Sequence, residues 1–385
     1  MSDLLLPNAE GHLTPYQLRS TPLPTSNAQP FTSRIAYAAA HVVLDPLRTT
    51  DIANPILDWD ATLAFRRHLW SLGFGVAEAM DTAQRGMGLP WPLALELIQR
   101  SAREAQANKA LIASGAGTDH LDAQTTHSLD DITAAYLTQC EAVEATSSRI
   151  ILMASRALAR TAQSLDDYAR VYTRVLSQLQ QPAILHWLGP MFDPALNGYW
   201  GSSDIPTALT NCLTILHTNA PKIDGIKISL LDADLEINMR RQLPAGLRMY
   251  TGDDFNYDRL ILGDGPNDYS HALLGIFDPI APAAALALQA LDANDIASYN
   301  ALLAPTIPLS RHIFQSPTYA YKTGIDFLAW LNGFQNHFRM VAGAESARSI
   351  PHLIELFKLA DNAGLLRDPE RAAVRMKTFL HGAGL

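Results

Sequence analysis

Short apolar runs alternate with longer segments of helical periodicity over most of the 385-residue chain. The runs are rich in small and β-branched residues and have no regular polar face, as expected of strands that are buried on both sides. The segments between them repeat apolar positions every three or four residues, which predicts amphipathic helices. Eight strands are predicted, at residues 34–43, 75–80, 109–114, 149–155, 182–187, 223–229, 247–252 and 270–276.

The spacing of these runs predicts a closed barrel. Each strand with its following helix occupies about 30 residues, the size of one βαβ repeat. Eight consecutive units predict an α/β fold, a (β/α)8 TIM barrel with a C-terminal helical extension. Prolines and small polar residues before the first strand favour an extended arm without regular structure. The predicted organisation is an N-terminal arm at 1–33, a barrel at 34–290 and a helical region at 291–385.

Composition narrows the class of protein. With 48% hydrophobic and 17% charged residues, the chain is expected to fill a substantial core. A formal charge of −9 without a basic cluster argues against a nucleic-acid partner. No apolar stretch is long enough to span a membrane, and the N-terminus lacks the pattern of a signal peptide. Cys140 and Cys212 have no disulfide or metal-ligand spacing. We therefore expect a soluble cytoplasmic protein.

Lys227 is the most conspicuous polar residue of the predicted strands. It interrupts the otherwise apolar run 223–229, so its side chain is expected to point into the barrel or toward its mouth. An ammonium group that loses its hydration there has a lowered pKa, and a neutral, nucleophilic amine becomes accessible. Such an amine can form a Schiff base with a carbonyl compound. The alternative is a structural lysine paired with a carboxylate of a neighbouring strand.

The surroundings of this lysine carry a resemblance to a known family. Ile223-Asp224-Gly225-Ile226-Lys227 is followed by Thr251-Gly252-Asp253-Asp254, and weaker matches occur at Ala113–Gly117, Pro182–Leu185 and Lys322–Gly324. These motifs resemble those of the dihydrodipicolinate synthase/N-acetylneuraminate lyase family of class I aldolases, and the match extends along most of the chain. The resemblance implies a TIM barrel, a Schiff base on Lys227 and a homodimer or homotetramer.

The chain departs from this family at three points. His186 stands where the family has a proton-relaying tyrosine, and an imidazole can do the same acid–base work, unless it is a hydrogen-bonded structural residue. The carboxylate-binding loop of the family is replaced by Met80–Gly86, in which Thr82 is retained and Asp81 would repel a carboxylate unless Arg85 neutralises it. The arginine that follows strand five in the family is missing. These changes favour a neutral, hydroxylated carbonyl compound, such as a keto sugar derivative, over a 2-oxo acid.

Further strand-end residues complete the predicted site. The expected substrate-binding residues are Asp81, Thr82, Glu78, Gly115, Asp253 and His271. For the pair Asp253 and Asp254, an alternative is that one carboxylate caps the following turn and the other meets solvent.

A metal site is a second possibility at the predicted mouth. Carboxylates and imidazoles at strand ends could ligate a divalent cation, although no HxH or HExxH spacing occurs. The candidates are His41, Asp45, Glu78, Asp81, Asp119, His120 and His271.

Three functions follow from these residues. The leading hypothesis is an enzyme of the lyase or aldolase type, in which Lys227 binds a small carbonyl substrate covalently and His186 moves protons, without a cofactor or a metal. The second is a metal-dependent sugar isomerase or hydratase. The third is a catalytically inactive relative that binds a metabolite.

Overall fold

The computed structural model describes residues 4–8, 10–19, 21–24 and 30–385. These residues form two compact units. The barrel unit comprises Arg34–Ala40 and Phe74–Gly275. The helical unit comprises the described residues before Arg34, together with His41–Gly73 and Ile276–Leu385. Both units are built from separate stretches of chain, and the predicted boundaries at 33/34 and 290/291 stay a prediction.

The N-terminal arm differs from its prediction. Strands β1 (Leu4–Pro7) and β2 (Leu13–Tyr16) form an antiparallel hairpin, although the proline content predicted no regular structure. Leu4 and Leu6 are buried while Leu5 is exposed, which is the alternation that defines a strand with one apolar face. A two-stranded ladder consists of edge strands, where proline is tolerated. Residues 1–3, 9, 20 and 25–29 of the predicted arm lie outside the described residues.

The predicted TIM barrel is confirmed. Eight parallel strands close in the order β10-β3-β4-β5-β6-β7-β8-β9, and each lies within or overlaps one of the predicted runs. The strands are β3 Ala36–Ala39, β4 Gly75–Glu78, β5 Ile112–Ala116, β6 Arg149–Leu152, β7 Ala183–Leu188, β8 Ile223–Ser229, β9 Arg248–Thr251 and β10 His271–Leu274.

Helices follow the predicted periodic segments, but three short helices had no predicted counterpart. They lie at Arg156–Thr161, Tyr257–Leu262 and Thr306–Phe314. A helix of six to nine residues makes too few turns for a periodic pattern to stand out. No helix of the described residues combines the length and apolar composition needed to cross a bilayer. The helices are α1 Trp59–Ser71, α2 Trp91–Asn108, α3 Leu129–Glu144, α4 Arg156–Thr161, α5 Leu165–Gln178, α6 Ile205–Thr218, α7 Ala233–Arg240, α8 Tyr257–Leu262, α9 Ala281–Asp292, α10 Ile296–Leu303, α11 Thr306–Phe314, α12 Tyr321–Leu331, α13 Ile350–Asn362 and α14 Pro369–Gly382.

The barrel interior is filled by one apolar cluster to which seven of the strands contribute. Strand β8 contributes no apolar side chain to it, because glycine, lysine and serine occupy its inward positions. This apolar cluster is therefore built without β8. The cluster consists of Tyr37, Ala39, Ala77, Met80, Ala113, Ile151, Ile184, Tyr250 and Leu273.

An ion-paired network closes the amino-terminal end of the barrel. Arg149 and Arg248, the first residues of β6 and β9, each donate to Oδ1 of Asp224 at 2.5 Å. The hydroxyl of Tyr250 donates to Oδ2 of the same carboxylate at 2.6 Å. These three hydrogen bonds, two of them from charged guanidinium groups, offset the cost of burying the Asp224 carboxylate. The network leaves the carboxyl-terminal mouth as the end of the barrel where chemistry is expected.

Most apolar side chains of the C-terminal helices are buried, and every residue of α12 is buried. The hairpin packs against α13 of the same unit, where the Tyr16 hydroxyl donates to Asp361 at 2.8 Å. Exposed apolar surface on these helices therefore gives little support to an oligomer, and the homodimer or homotetramer remains a prediction from the family resemblance.

A buried glutamate links α7 to the outside of the barrel. Glu236 is fully buried and accepts hydrogen bonds from the hydroxyls of Ser270 (2.6 Å) and Thr251 (3.0 Å). Burial raises the pKa of Glu236 to about 8 despite these bonds, and the nearby Asp253 adds to the effect. The carboxyl group is therefore largely protonated in the folded protein at neutral pH.

Replacement of this group is expected to change the pH dependence of stability. The folded-state pKa lies above the unfolded value, so the folded protein holds one more proton between about pH 4.5 and 8, and stability falls as pH rises through this window. Glu236→Gln should remove most of that decline. Between pH 5 and pH 9, the free energy of unfolding should therefore fall by about a few kcal/mol less in the variant than in wild type. Urea unfolding at pH 5, 7 and 9 measures this, and the exposed Glu141→Gln on α3 is the control. A parallel decline in both variants would contradict the assignment.

Candidate active site

Lys227 lies inside the barrel, near the carboxyl end of β8. Its Cα pairs in register with His186 of β7 and with Tyr250 of β9. Paired residues of neighbouring parallel strands point to the same face, and Tyr250 belongs to the interior cluster, so Lys227 points inward as predicted. The side chain is only 4% exposed. The strand thus carries an amine into the interior, near the mouth.

Gly252, the first residue after β9, leaves the space that the lysine occupies. A Cβ atom at this position would lie 2.6 Å from Cε of Lys227 and would also collide with the Ser229 hydroxyl. The Gly252 N–H donates to the carbonyl of Ile228 at 2.8 Å, which holds β8 and β9 at this close approach. The glycine of the Thr251–Asp254 motif is therefore required for space beside the lysine.

The surroundings of Lys227 lower the pKa of its amine below the ordinary value. Burial lowers the pKa of the Lys227 amine, while the carboxylates of Asp81 and Asp254 raise it, and the net direction is downward. A lowered pKa increases the fraction of unprotonated amine at neutral pH. The two carboxylates would also stabilise a protonated, positively charged imine on this nitrogen. Lys227 is thus suited both to attack a carbonyl carbon and to carry a cationic imine.

His186 sits beside the lysine on the neighbouring strand. Its side chain is 1% exposed, and its Nε2 lies 3.2 Å from Oγ of Ser229, which is two residues beyond Lys227 on the same face of β8. Burial, together with the charge of Lys227, lowers the pKa of His186 well below its ordinary value, so the ring is neutral near pH 7. None of the described residues hydrogen-bonds its buried Nδ1.

The loop after β4 brings Asp81, and not Glu78, to the lysine. Asp81 begins a short 3-10 turn, and its charge acts on both Lys227 and His186. Thr82, in the same turn, is 1% exposed. Glu78 follows the inward Ala77, so alternation directs it to the outer face, where its Oε1 accepts from the N–H of Ala79 at 2.8 Å. The prediction of Glu78 as a substrate-binding residue is corrected by this register.

Gly115 and Arg85 have packing roles at the mouth. A Cβ at Gly115 would lie 2.6 Å from Sδ of Met153 and 2.8 Å from the carbonyl of Ala79, so the glycine permits close packing of the strands. Its carbonyl accepts from Nη1 of Arg85 at 2.9 Å. The guanidinium of Arg85 forms a two-pronged ion pair with Asp119, with Nε and Oδ2 3.0 Å apart. Arg85 is therefore engaged with Asp119.

The two aspartates after β9 have different roles. Both oxygens of Asp253 serve the following turn, accepting from the N–H groups of Phe255 (2.8 Å) and Asn256 (3.1 Å) and from the Asn256 amide (2.8 Å). Asp253 is thus a capping residue, which corrects its prediction as a substrate ligand. Asp254 is 4% exposed and acts electrostatically on Lys227. The alternative that it meets solvent is therefore wrong.

His271 lies at the other end of the barrel. It is the first residue of β10, and its Nδ1 accepts from the N–H of Ile35 at 2.9 Å. Its ring contacts Tyr250, with centroids 5.6 Å apart. Burial and the charge of Arg248 lower the pKa of His271 to about 4. His271 therefore belongs beside the ion-paired network at the amino-terminal end, and its prediction as a substrate-binding residue is corrected.

The predicted metal ligands do not converge in the part of the chain that the structure describes, where no group of three or more His, Cys, Asp and Glu side chains could hold a metal ion. Asp119 is paired with Arg85, and Nδ1 of His120 lies 2.8 Å from the side-chain amide of Gln139. In the helical unit, Nδ1 of His41 is 2.7 Å from Asp278. Each group has a protein partner in its own unit.

Two residues of the site were not among the predicted site residues. Ser229 shares the inward face of β8 with Lys227, and a period of two from the lysine would have found it. Asp254 is adjacent to a capping aspartate, and the sequence alone does not distinguish which of the two carboxylates turns inward. The site that the structure assembles is Lys227, His186, Ser229, Asp81 and Asp254, with Gly252 providing space.

The closed (β/α)8 barrel is the fold of solved structures of the dihydrodipicolinate synthase family, and the resemblance noted in the sequence is confirmed at the level of fold. The chain is 14% identical to YagE from E. coli K12, a prophage protein of the dihydrodipicolinic acid synthase family in complex with pyruvate, with TM-score 0.65 over 86% of this chain and 99% of that one. Dihydrodipicolinate synthase from Aquifex aeolicus is 11% identical, with TM-score 0.65 and coverage of 86% and 99%. The chloride-inhibited synthase from Acinetobacter baumannii, complexed with pyruvate, is 15% identical, with TM-score 0.60 and coverage of 87% and 100%.

The chain itself belongs to the family described as Protein of unknown function (DUF993), whose model matches residues 4–385. No curated protein matches it.

Proposed function

We propose that the protein is a lyase of the class I aldolase type, which binds a carbonyl substrate covalently on Lys227. The observation that carries the proposal is the inward, almost fully buried lysine whose pKa is lowered by burial, beside an imidazole and two carboxylates. A buried amine with these neighbours is costly unless it is paired or used. The dihydrodipicolinate synthase fold of the chain supports the same chemistry by analogy.

The proposed reaction needs the amine and one proton carrier. The lone pair of Nζ attacks the carbonyl carbon, and the resulting carbinolamine loses its hydroxyl group as water when an acid donates a proton to it, which leaves a protonated imine. A base then takes the proton of the hydroxyl group on the β carbon, the bond between the α and β carbons breaks, and the β carbon leaves as a carbonyl compound while the electron pair of the broken bond converts the imine into an enamine. The enamine regains a proton at the α carbon, and hydrolysis of the resulting imine releases the second product and the free amine of Lys227. His186, hydrogen-bonded to Ser229, is placed to move these protons.

The charges around the lysine favour a neutral, hydroxylated substrate such as a keto sugar derivative. Asp81 and Asp254 would repel a carboxylate next to the reacting carbonyl, whereas they accept hydrogen bonds from hydroxyl groups. The arginines of the neighbouring loops are already paired: Arg85 with Asp119, and Arg156 with Asp193 at 2.6 Å. A small 2-oxo acid would therefore lack a free cation to orient it.

Borohydride trapping with intact-mass readout tests the proposal. The protein is incubated with dihydroxyacetone, glyceraldehyde, a ketohexose or pyruvate, and is then reduced, so that an imine becomes a stable secondary amine. We expect one adduct per chain with a hydroxylated neutral carbonyl compound, located on Lys227 by peptide mapping, and little adduct with pyruvate. The control is the same mixture without borohydride.

The other outcomes separate the alternatives. Efficient labelling by pyruvate would keep the Schiff base and overturn the neutral-substrate assignment. Saturable binding of a carbonyl compound without an adduct would overturn the Schiff base and favour a catalytically inactive metabolite-binding protein.

A further inference from the structure

A pocket of about 380 Å³ opens at the amino-terminal end of the barrel, where α2 and α3 end and β6 and β9 begin. Sites for small molecules in proteins commonly have volumes of roughly 300–1,000 Å³ and combine apolar walls with a few polar groups. This pocket has both kinds of lining, and no Asp or Glu of the described residues contributes to it. Its principal residues are Ile35, Tyr37, Lys109, Leu111, Arg149 and Arg248.

Two of the lining arginines share a single carboxylate oxygen. Arg149 and Arg248 each donate from Nη1 to Oδ1 of Asp224 at 2.5 Å, so the two guanidinium groups are close neighbours. Like charges held this close repel each other, and one carboxylate offsets only part of the repulsion. A second anion that contacts both guanidinium groups would therefore be stabilised at this position.

The sides of these arginines that face away from Asp224 are accessible from the pocket. The Arg149 side chain is 34% exposed and the Arg248 side chain is 40% exposed, and both line the pocket. Within the described residues, neither forms an ion pair with a carboxylate other than Asp224. A guanidinium group has several N–H donors, so one that holds a carboxylate with one nitrogen can donate to a second oxyanion with another.

A lysine adds a third positive charge to the lining. Lys109 directly follows α2 and is exposed, and no carboxylate of the described residues forms an ion pair with it. The pocket therefore combines three cations with the one neighbouring carboxylate of Asp224, which leaves an excess of two positive charges.

We propose that this pocket binds a phosphate group. A phosphate monoester carries a charge of about −1.5 to −2 at neutral pH and has three acceptor oxygens, which matches the excess charge and the three cations. A carboxylate has only two oxygens, in one plane, and a smaller charge. The apolar wall that includes Ile35 and Leu111 leaves room for a small organic group on the phosphate. The site lies at the opposite end of the barrel from the mouth, and the proposal does not depend on imine chemistry at Lys227.

Isothermal titration of the full chain with glycerol 3-phosphate, at a constant ionic strength set with potassium chloride, tests the proposal. We expect saturable binding to one site with a dissociation constant below about 1 mM. Arg149→Lys keeps a cation beside Asp224 but loses the fork that reaches a second anion, and it should weaken binding about tenfold. Far-UV circular dichroism checks that this charge-conserving variant is folded.

A second variant leaves the ion pairs of Asp224 intact. Lys109→Gln removes an exposed charge and should weaken binding by about two- to fivefold, the usual range for an exposed ion pair. The matched control is Lys377→Gln, which removes a lysine from α14 of the helical unit and should leave the affinity unchanged.

Two further probes test the ligand without mutation. Inorganic phosphate should compete with glycerol 3-phosphate, and the tighter of the two shows whether the site takes free phosphate or an ester. Succinate, a dianion that carries carboxylates instead, should bind about tenfold more weakly than the tighter phosphate. Equal affinity for succinate, an unchanged affinity in Arg149→Lys, or the absence of saturation by both phosphates at about 10 mM would overturn the proposal.

Discussion

Lys227→Arg is expected to yield a folded protein that forms no borohydride-trapped adduct and has no turnover. The guanidinium keeps the positive charge that Asp81 and Asp254 face, so the electrostatic surroundings are preserved. It cannot lose its proton at accessible pH and therefore cannot attack a carbonyl carbon. Intact mass after reduction, and turnover of the carbonyl compound that labels wild type best, measure the effect.

A matched substitution separates chemistry from folding. Lys222→Arg changes a lysine just before β8 whose ammonium donates to the carbonyl of Leu179 at 2.6 Å, and it should leave labelling unchanged. Lys227→Met, which is neutral and similar in length, guards against misfolding of the arginine variant and should also be inert. Turnover above a few per cent of wild type in either Lys227 variant would remove the Schiff base from the mechanism.

His186→Phe is expected to lower the rate by about 10²–10⁴-fold, the usual loss when a general acid–base group is removed. Phenylalanine fills the same buried volume, and the hydrogen bond to Ser229 is lost with the imidazole. Because burial lowers the pKa of His186 well below its ordinary value, the acidic limb of the wild-type rate profile should lie below pH 6.5 and should disappear in the variant.

The measurement is the rate of imine formation or turnover as a function of pH. His217→Phe, which removes an exposed imidazole near the end of α6, serves as the control. An unchanged pH profile in His186→Phe would return this residue to a purely structural role.

The barrel was predictable because buried parallel strands have a simple sequence pattern. Runs such as Ile150–Met153 are apolar on both faces, and the spacing between successive runs leaves room for one helix each. The hairpin at Leu4–Pro7 and Leu13–Tyr16 was missed because proline was interpreted as a breaker, whereas edge strands accept it.

The site was predictable only in part. Residues near the ends of different strands differ in whether their side chains point into the barrel, and in which end of the barrel they lie at. Lys227 and His186 stand out in the sequence because each is a polar residue within a strand, and the structure pairs them in register on neighbouring strands. Their catalytic roles stay a prediction. Glu78 and His271 were placed at the mouth by proximity in sequence, but one faces outward and the other begins its strand at the opposite end. Asp253 and Asp254 are neighbours whose roles depend on a turn that no periodicity describes.

The absence of β8 from the apolar interior cluster bears on how this barrel can evolve. Substitutions at Ile151 or Ile184 remove hydrophobic burial and leave cavities, which destabilises the fold. Substitutions at Lys227 or Ser229 remove no member of this cluster, so β8 can exchange one reactive side chain for another while the remaining strands maintain the apolar interior. A lineage could therefore alter its chemistry on β8 by single residue changes that selection for folding alone would not oppose.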